Sequence, residues 1–97
     1  MSLSDDELKI LRKIEKIDKI NQRSLSKTLG MSLGKINYCL KELKKRGFIK
    51  ITNFEKSKNK INYIYLLTPK GIEHKTKAIL NFMKIKMNEY EDLKKDL

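Results

Sequence analysis

The stretch NQRSLSKTLGMSLGKINYCLKELKKRG, from Asn21 to Gly47, reads as two helices joined by a tight turn. Asn21 suits an N-cap, because its side-chain oxygen can accept from an amide that a helix start leaves unpaired. The helix it opens spans 22–29. Leu25 and Leu29, four residues apart, form its inward face, and Ser26 is small where the two helices approach. Gly30 suits the left-handed backbone that ends a helix. Ser32 caps the next helix, 32–46, whose inward face is Ile36, Leu40 and Leu43 with Cys39 beside them; Gly47 ends it. Two helices about a glycine turn make the pattern of a helix-turn-helix, whose second helix enters the major groove of DNA.

The outward face of that second helix decides what it touches. On a wheel of 100° per residue, Gly34, Tyr38, Lys41 and Lys45 fall opposite Ile36 and Leu40, with Lys35, Asn37 and Lys44 on the flanks. A charged outer face is commonly just solvated. Here it follows a helix-turn-helix, so groove contact is the favoured reading. The first turns of such a helix meet base edges, and lysines further along reach phosphates. Gly34, Lys35, Asn37 and Tyr38 are therefore assigned to base reading, since Asn pairs with adenine and Lys donates to guanine. Ser32, Lys41, Lys44 and Lys45 are assigned to the phosphate backbone. Gly34 weakens a helix, which points to close approach by a partner.

Downstream, Phe48 to Asn53 and Ile61 to Leu67 are rich in β-branched and aromatic residues. They predict a hairpin over 48–67 with a basic tip carrying Lys56, Lys58 and Lys60. These lysines are assigned to DNA phosphates; edge lysines also discourage strand-to-strand aggregation. Upstream, Ser4-Asp5-Asp6-Glu7 is a capping box opening a helix over 5–18. Its apolar face, Leu8, Ile10, Leu11, Ile14 and Ile17, is wide enough for its own core alone or for a second subunit as well. Thr68-Pro69 opens the last helix, 69–95, with proline where its missing N–H costs nothing. That helix is ~40 Å long, longer than a three-helix core needs. Ile72, Thr76, Ile79, Met83, Lys86, Tyr90, Leu93 and Leu97 recur at spacings of four and three as a heptad seam, widened by Phe82 and Met87. A dimer interface is expected on Ile72, Ile79, Phe82, Met83, Lys86, Tyr90 and Leu93. The fold class is thus mainly α with a small β-hairpin wing: one winged helix-turn-helix domain, 1–97, with a long C-terminal dimerisation helix.

Charge supports a polyanionic partner. The chain has 97 residues and a net charge of +11, and residues 19–60 hold ten of those eleven excess charges. Neutralising phosphates releases counterions and supplies most non-specific affinity for nucleic acid. No apolar run approaches the ~20 residues of a membrane span, the N-terminus lacks the features of a secretory signal, and one cysteine fits a reducing compartment. A cytoplasmic protein is expected.

The residues Leu25-Ser26-Lys27-Thr28-Leu29-Gly30, Ser32 to Leu43, Gly47-Phe48-Ile49 and Tyr65-Leu66-Leu67-Thr68-Pro69-Lys70-Gly71 resemble the MarR-type winged-helix transcriptional regulators over about residues 5 to 90. SLGKINY followed by YLLTPKGIEHK is similar to the small subgroup associated with exopolysaccharide gene clusters. The resemblance implies a dimeric, sequence-specific DNA-binding regulator with positions 34, 35, 37, 38 and 41 facing the major groove. The wing departs from the family, carrying Glu55 and lysines where relatives have an Asp with paired arginines; lysine is less suited to a narrow minor groove. The chain is also shorter than relatives that bury a phenolic ligand, so no small-molecule effector is expected.

Nothing in the sequence assembles an enzyme. With one His and one Cys, a structural zinc site from this chain alone is not expected. Cys39 reads as a small core hydrophobe, with oxidant sensing the minor reading, and His74 as a surface or interface side chain. No phosphate-binding glycine loop is present, and no cofactor is expected. The leading reading is a homodimeric regulator on a pseudo-palindromic double-stranded operator. A winged helix that binds protein or RNA, and a non-specific architectural DNA binder, are the alternatives.

Overall fold

A computed structural model describes residues 3–57 and 60–97; the side chains of residues 53–62 lie outside that description. The element order is α1 (Asp5–Lys16), α2 (Gln22–Leu29), α3 (Leu33–Lys45), β1 (Ile49–Ser57), β2 (Lys60–Leu67) and α4 (Pro69–Lys94). β1 and β2 pair antiparallel, with Ile49 opposite Leu67 and Ile51 opposite Tyr65.

Each helix start is fixed by a side chain that satisfies an orphan amide. Ser4 accepts from the Glu7 amide while the Ser4 amide donates to the Glu7 carboxylate at 2.9 Å. Asn21 accepts from the Ser24 amide at 2.8 Å, Ser32 from Lys35 at 3.1 Å and Thr68 from Gly71 at 3.0 Å. Such caps contribute about 1 kcal/mol each. Gly30 and Gly47 take the left-handed backbone, with φ of 67° and 78°.

The core gathers Ile10, Leu11 and Ile14 of α1, Leu25 of α2, the inward face of α3, and Phe48, Ile49 and Tyr65 around the hairpin base. Burying each large aliphatic side chain contributes about 1.5–3 kcal/mol before entropy is counted. The first helix ends at Lys16, not at the expected 18. Ile17 is extended and 40% exposed, so the apolar face expected to include it stops at Ile14. The chain instead turns at Lys19, whose φ is 56°, and buries Ile20. The Ile20 carbonyl accepts from the Tyr65 amide at 3.2 Å, tying the α1–α2 connection to the hairpin.

The start of α4 is locked to the end of α3. The Thr68 hydroxyl donates to the Gly47 carbonyl, and the Thr68 amide to the Phe48 carbonyl. Phe48 stacks on His74 with ring centroids 4.5 Å apart, so His74 is half-buried against the body of the domain. Lys75 pairs with Glu15 at 2.5 Å, joining α4 to α1. Beyond Ile79 the helix leaves the domain: residues 80–97 are all exposed. The chain accordingly measures 63 × 26 × 21 Å.

Candidate nucleic-acid interface

The buried face of α3 (Ile36, Cys39, Leu40 and Leu43) fixes its rotation, and with it the face turned outward. Ser32, Gly34, Lys35, Asn37, Tyr38, Lys41, Lys44 and Lys45 are all exposed. Tyr38, 68% exposed, presents a large ring that the domain itself does not use. A Cβ added at Gly34 would meet no atom within 4 Å, so no packing inside the domain requires glycine there. The Gln22 side chain donates to the Leu33 carbonyl at 3.2 Å, and Ser26 to the Met31 carbonyl at 2.5 Å; both bonds hold α2 against the start of α3.

One assigned base reader is already engaged. The Lys35 ammonium lies 2.7 Å from the Asp6 carboxylate on α1. The hydrogen bond from Lys35 holds the Asp6 carboxyl below its usual range, and the same bond raises the Lys35 ammonium. The sequence reads Asp6 only as part of the α1 capping box; its pairing with Lys35 arises because the packing of α1 beside α3 brings the two helix starts together. Arg46, at the end of α3, turns inward instead of joining the lysine face. Its guanidinium lies 3.6 Å from the Glu7 carboxylate and over the Phe48 ring at 5.5 Å.

Lys56 and Lys60 fall within the strands, but their side chains, and all of Lys58, lie outside the described residues. On α4, Ile72, Phe82, Met83, Tyr90 and Leu93 are 46–68% exposed; Lys86 is exposed and Ile79 half-buried. Phe82, Met83, Lys86, Met87 and Tyr90 line one continuous hollow. A groove of about 410 Å³ separates α1 from α4, lined by Leu8, Arg12, Ile79 and Phe82 among others. The sequence suggests no such hollow, because its walls come from helices at opposite ends of the chain. Cys39 is buried, and burial pushes its thiol up, with Glu7 and Asp6 adding to the rise. Among the described residues no group of three His, Cys, Asp or Glu side chains could hold a metal ion, and no helix is long and apolar enough to cross a membrane.

The family model described as "winged helix-turn-helix DNA-binding" matches residues 6–50. The whole architecture superposes on solved regulators. The fold is a winged helix. PcaV, a transcriptional regulator from Streptomyces coelicolor solved with its natural ligand, matches with a TM-score of 0.82 at 12% identity, over 94% of this chain and 63% of PcaV. MarR from Staphylococcus aureus, in complex with salicylate and kanamycin, gives 0.73 at 22% identity over 93% and 59%. FabT from Streptococcus pneumoniae, in complex with DNA, gives 0.68 at 24% identity over 93% and 61%. This winged helix therefore spans about three-fifths of the length of these structures. No curated protein matches the chain.

Proposed function

We propose that this winged helix is a MarR-type, sequence-specific double-stranded DNA-binding transcriptional regulator and not an enzyme, acting in the cytoplasm as a homodimer on a pseudo-palindromic operator. The observation that carries the reading is the outward face of α3, where Tyr38 and Asn37 stand exposed among Lys41, Lys44 and Lys45. A merely solvated face has no use for a phenol that is 68% exposed, whereas bases offer it stacking and methyl contacts. Asn37 supplies a donor and an acceptor for a base edge, and the lysines supply the phosphate grip. The match of residues 6–50 to a DNA-binding family supports the assignment, as does the likeness to FabT, which was solved with DNA.

Two recognition helices related by a two-fold axis would read half-sites about 34–36 Å apart. The exposed apolar stripe of α4 supplies the pairing surface. The resemblance of SLGKINY and YLLTPKGIEHK to the exopolysaccharide-associated subgroup nominates such genes as targets. Selection of bound duplexes from a random pool, at near-physiological salt with excess competitor DNA, tests the reading. An enriched inverted repeat with half-sites one turn apart is the expected result. Binding that competitor abolishes, with no enriched sequence, would overturn it in favour of a non-specific binder.

A further inference from the structure

The exposed part of α4 carries a symmetry that a second copy of the chain can use. From the half-buried Ile79 a stripe runs through Phe82, Lys86, Tyr90 and Leu93, four apolar residues about a central lysine. The spacings read the same in both directions from Lys86. At 100° per residue all five fall within about 80° of one helix face. A two-fold interface must be self-complementary, each surface meeting its own copy. We propose that two copies pair their α4 helices antiparallel with the two-fold axis through Lys86. Phe82 then faces Tyr90 of the other copy, and Ile79 faces its Leu93. This rests on the homodimer proposed above and specifies its register.

The domain's own groove fits that register. Leu93 of the second copy would arrive at Ile79 and Phe82, the α4 wall of the groove beside α1. The exposed apolar strip is continuous with this groove through Phe82, which lines both. Charge agrees with the placement. A two-fold axis perpendicular to antiparallel helices keeps the same edge of each helix on the same side. α1 lies beside Lys75, Ile79 and Phe82 of α4: Lys75 pairs with Glu15, and the other two line the groove with Leu8, Lys9 and Arg12. Further down the helix Glu89, Asp92 and Asp96 share a hollow with Leu93. Leu93 of one copy, arriving at Ile79 and Phe82 of the other, brings these carboxylates toward Lys9 and Arg12, which line the same groove. At the axis the two Lys86 ammonium groups face each other, each 3.3 Å from its own Glu89 carboxylate. A charged pair at one seam position tolerates few alternatives and so selects the register, at a cost in stability.

Oxidative cross-linking with sedimentation of the full chain tests the arrangement. A residue on a two-fold axis faces its own copy, so Lys86→Cys forms a disulfide-linked dimer on mild oxidation, within the short reach a disulfide demands. Lys84→Cys, on the opposite face, does not, and wild type controls for Cys39. Leu93→Asp and Arg12→Glu each raise the dimer dissociation constant about tenfold or more. A wild type that sediments as a monomer overturns the dimer and this arrangement together. A dimeric wild type with no Lys86→Cys product overturns the register alone. A dimer indifferent to Leu93→Asp and Arg12→Glu shows that the groove takes another occupant, and overturns the docking.

Discussion

The Lys35 ammonium at the start of α3 is held 2.7 Å from the Asp6 carboxylate at the start of α1. A side chain assigned to base edges thus has a competing anion inside its own domain. On DNA it must keep that partner or exchange it for a base or phosphate. Asp6→Asn removes the competitor and one negative charge beside the groove. The expected outcome is tighter binding to random duplex, a salt dependence steeper by about one unit, and weaker preference for the selected site. Titration of binding against salt on both duplexes measures all three. An unchanged slope would show that Lys35 makes no phosphate contact once released.

The sign of the pH effect on this pair follows from both shifts. Asp6 lies below its ordinary value, so the pair contributes stability above the ordinary carboxylate range and loses it as pH falls through the depressed value. Lys35 lies above its ordinary value, so its contribution is complete below the ordinary lysine range and is lost only as pH rises through the raised one. The pair is therefore intact across neutral pH. Following the Asp6 carboxyl carbon by NMR should show a midpoint below that of an unpaired aspartate, returning to the ordinary range in Lys35→Ala.

Tyr38 and Lys45 stand on the same exposed face but are assigned different tasks. Tyr38→Ala should weaken the selected operator by about 1–3 kcal/mol and leave random duplex nearly unaffected. Lys45→Ala should weaken both alike and reduce the salt slope by about one. Equal losses for Tyr38→Ala on the two duplexes would remove it from base reading.

Gly34 and Gly71 lack side chains for opposite reasons. At Gly34 a Cβ meets open space, so Gly34→Ala should leave the fold as stable or up to about 1 kcal/mol more stable, while lowering DNA affinity by crowding the groove. At Gly71 a Cβ would sit 1.9 Å from the Phe48 carbonyl oxygen and 2.8 Å from its carbon, both backbone atoms. Gly71→Ala must push α4 off the end of α3. A cost of about 1–3 kcal/mol and a fall of ~5 °C or more in Tm are expected by thermal denaturation. Unchanged affinity in Gly34→Ala would place the first turn of α3 away from DNA.

Cys39 is 6% exposed, and burial is the first cause of its raised thiol. Iodoacetamide should modify it slowly in the folded chain and fully in denaturant, and mild peroxide should leave DNA binding unchanged. Because the folded thiol ionises later than the unfolded one, stability should decline as pH rises past the ordinary thiol range. Rapid modification of the folded protein would revive a sensing role.

The elements of this chain were legible wherever they depend on neighbours in sequence. Ser4 with Glu7, Asn21, Ser32 and Thr68 announce helix starts because each cap is a bond between residues three apart. Gly30 and Gly47 announce helix ends because a positive φ suits a residue without Cβ. The inward face of α3 was readable as periodicity, and fixing that face fixed the outward one. The end of α1 was not readable: the apolar period runs on to Ile17, and only the core's demand for Ile20 breaks it. The Lys35–Asp6 pair, the contact of Gly71 with Phe48 and the groove between α1 and α4 join residues tens of positions apart. Their existence depends on how helices dock, which follows from the shapes of the whole set of buried side chains and not from any local pattern. Sequence by itself determined the helices, the hairpin and the exposed chemistry of the outward face of α3, because propensity, capping and periodicity are local. Tertiary structure decided which charges that face shares with α1 and where α4 leaves the domain, because those are properties of packing between distant segments.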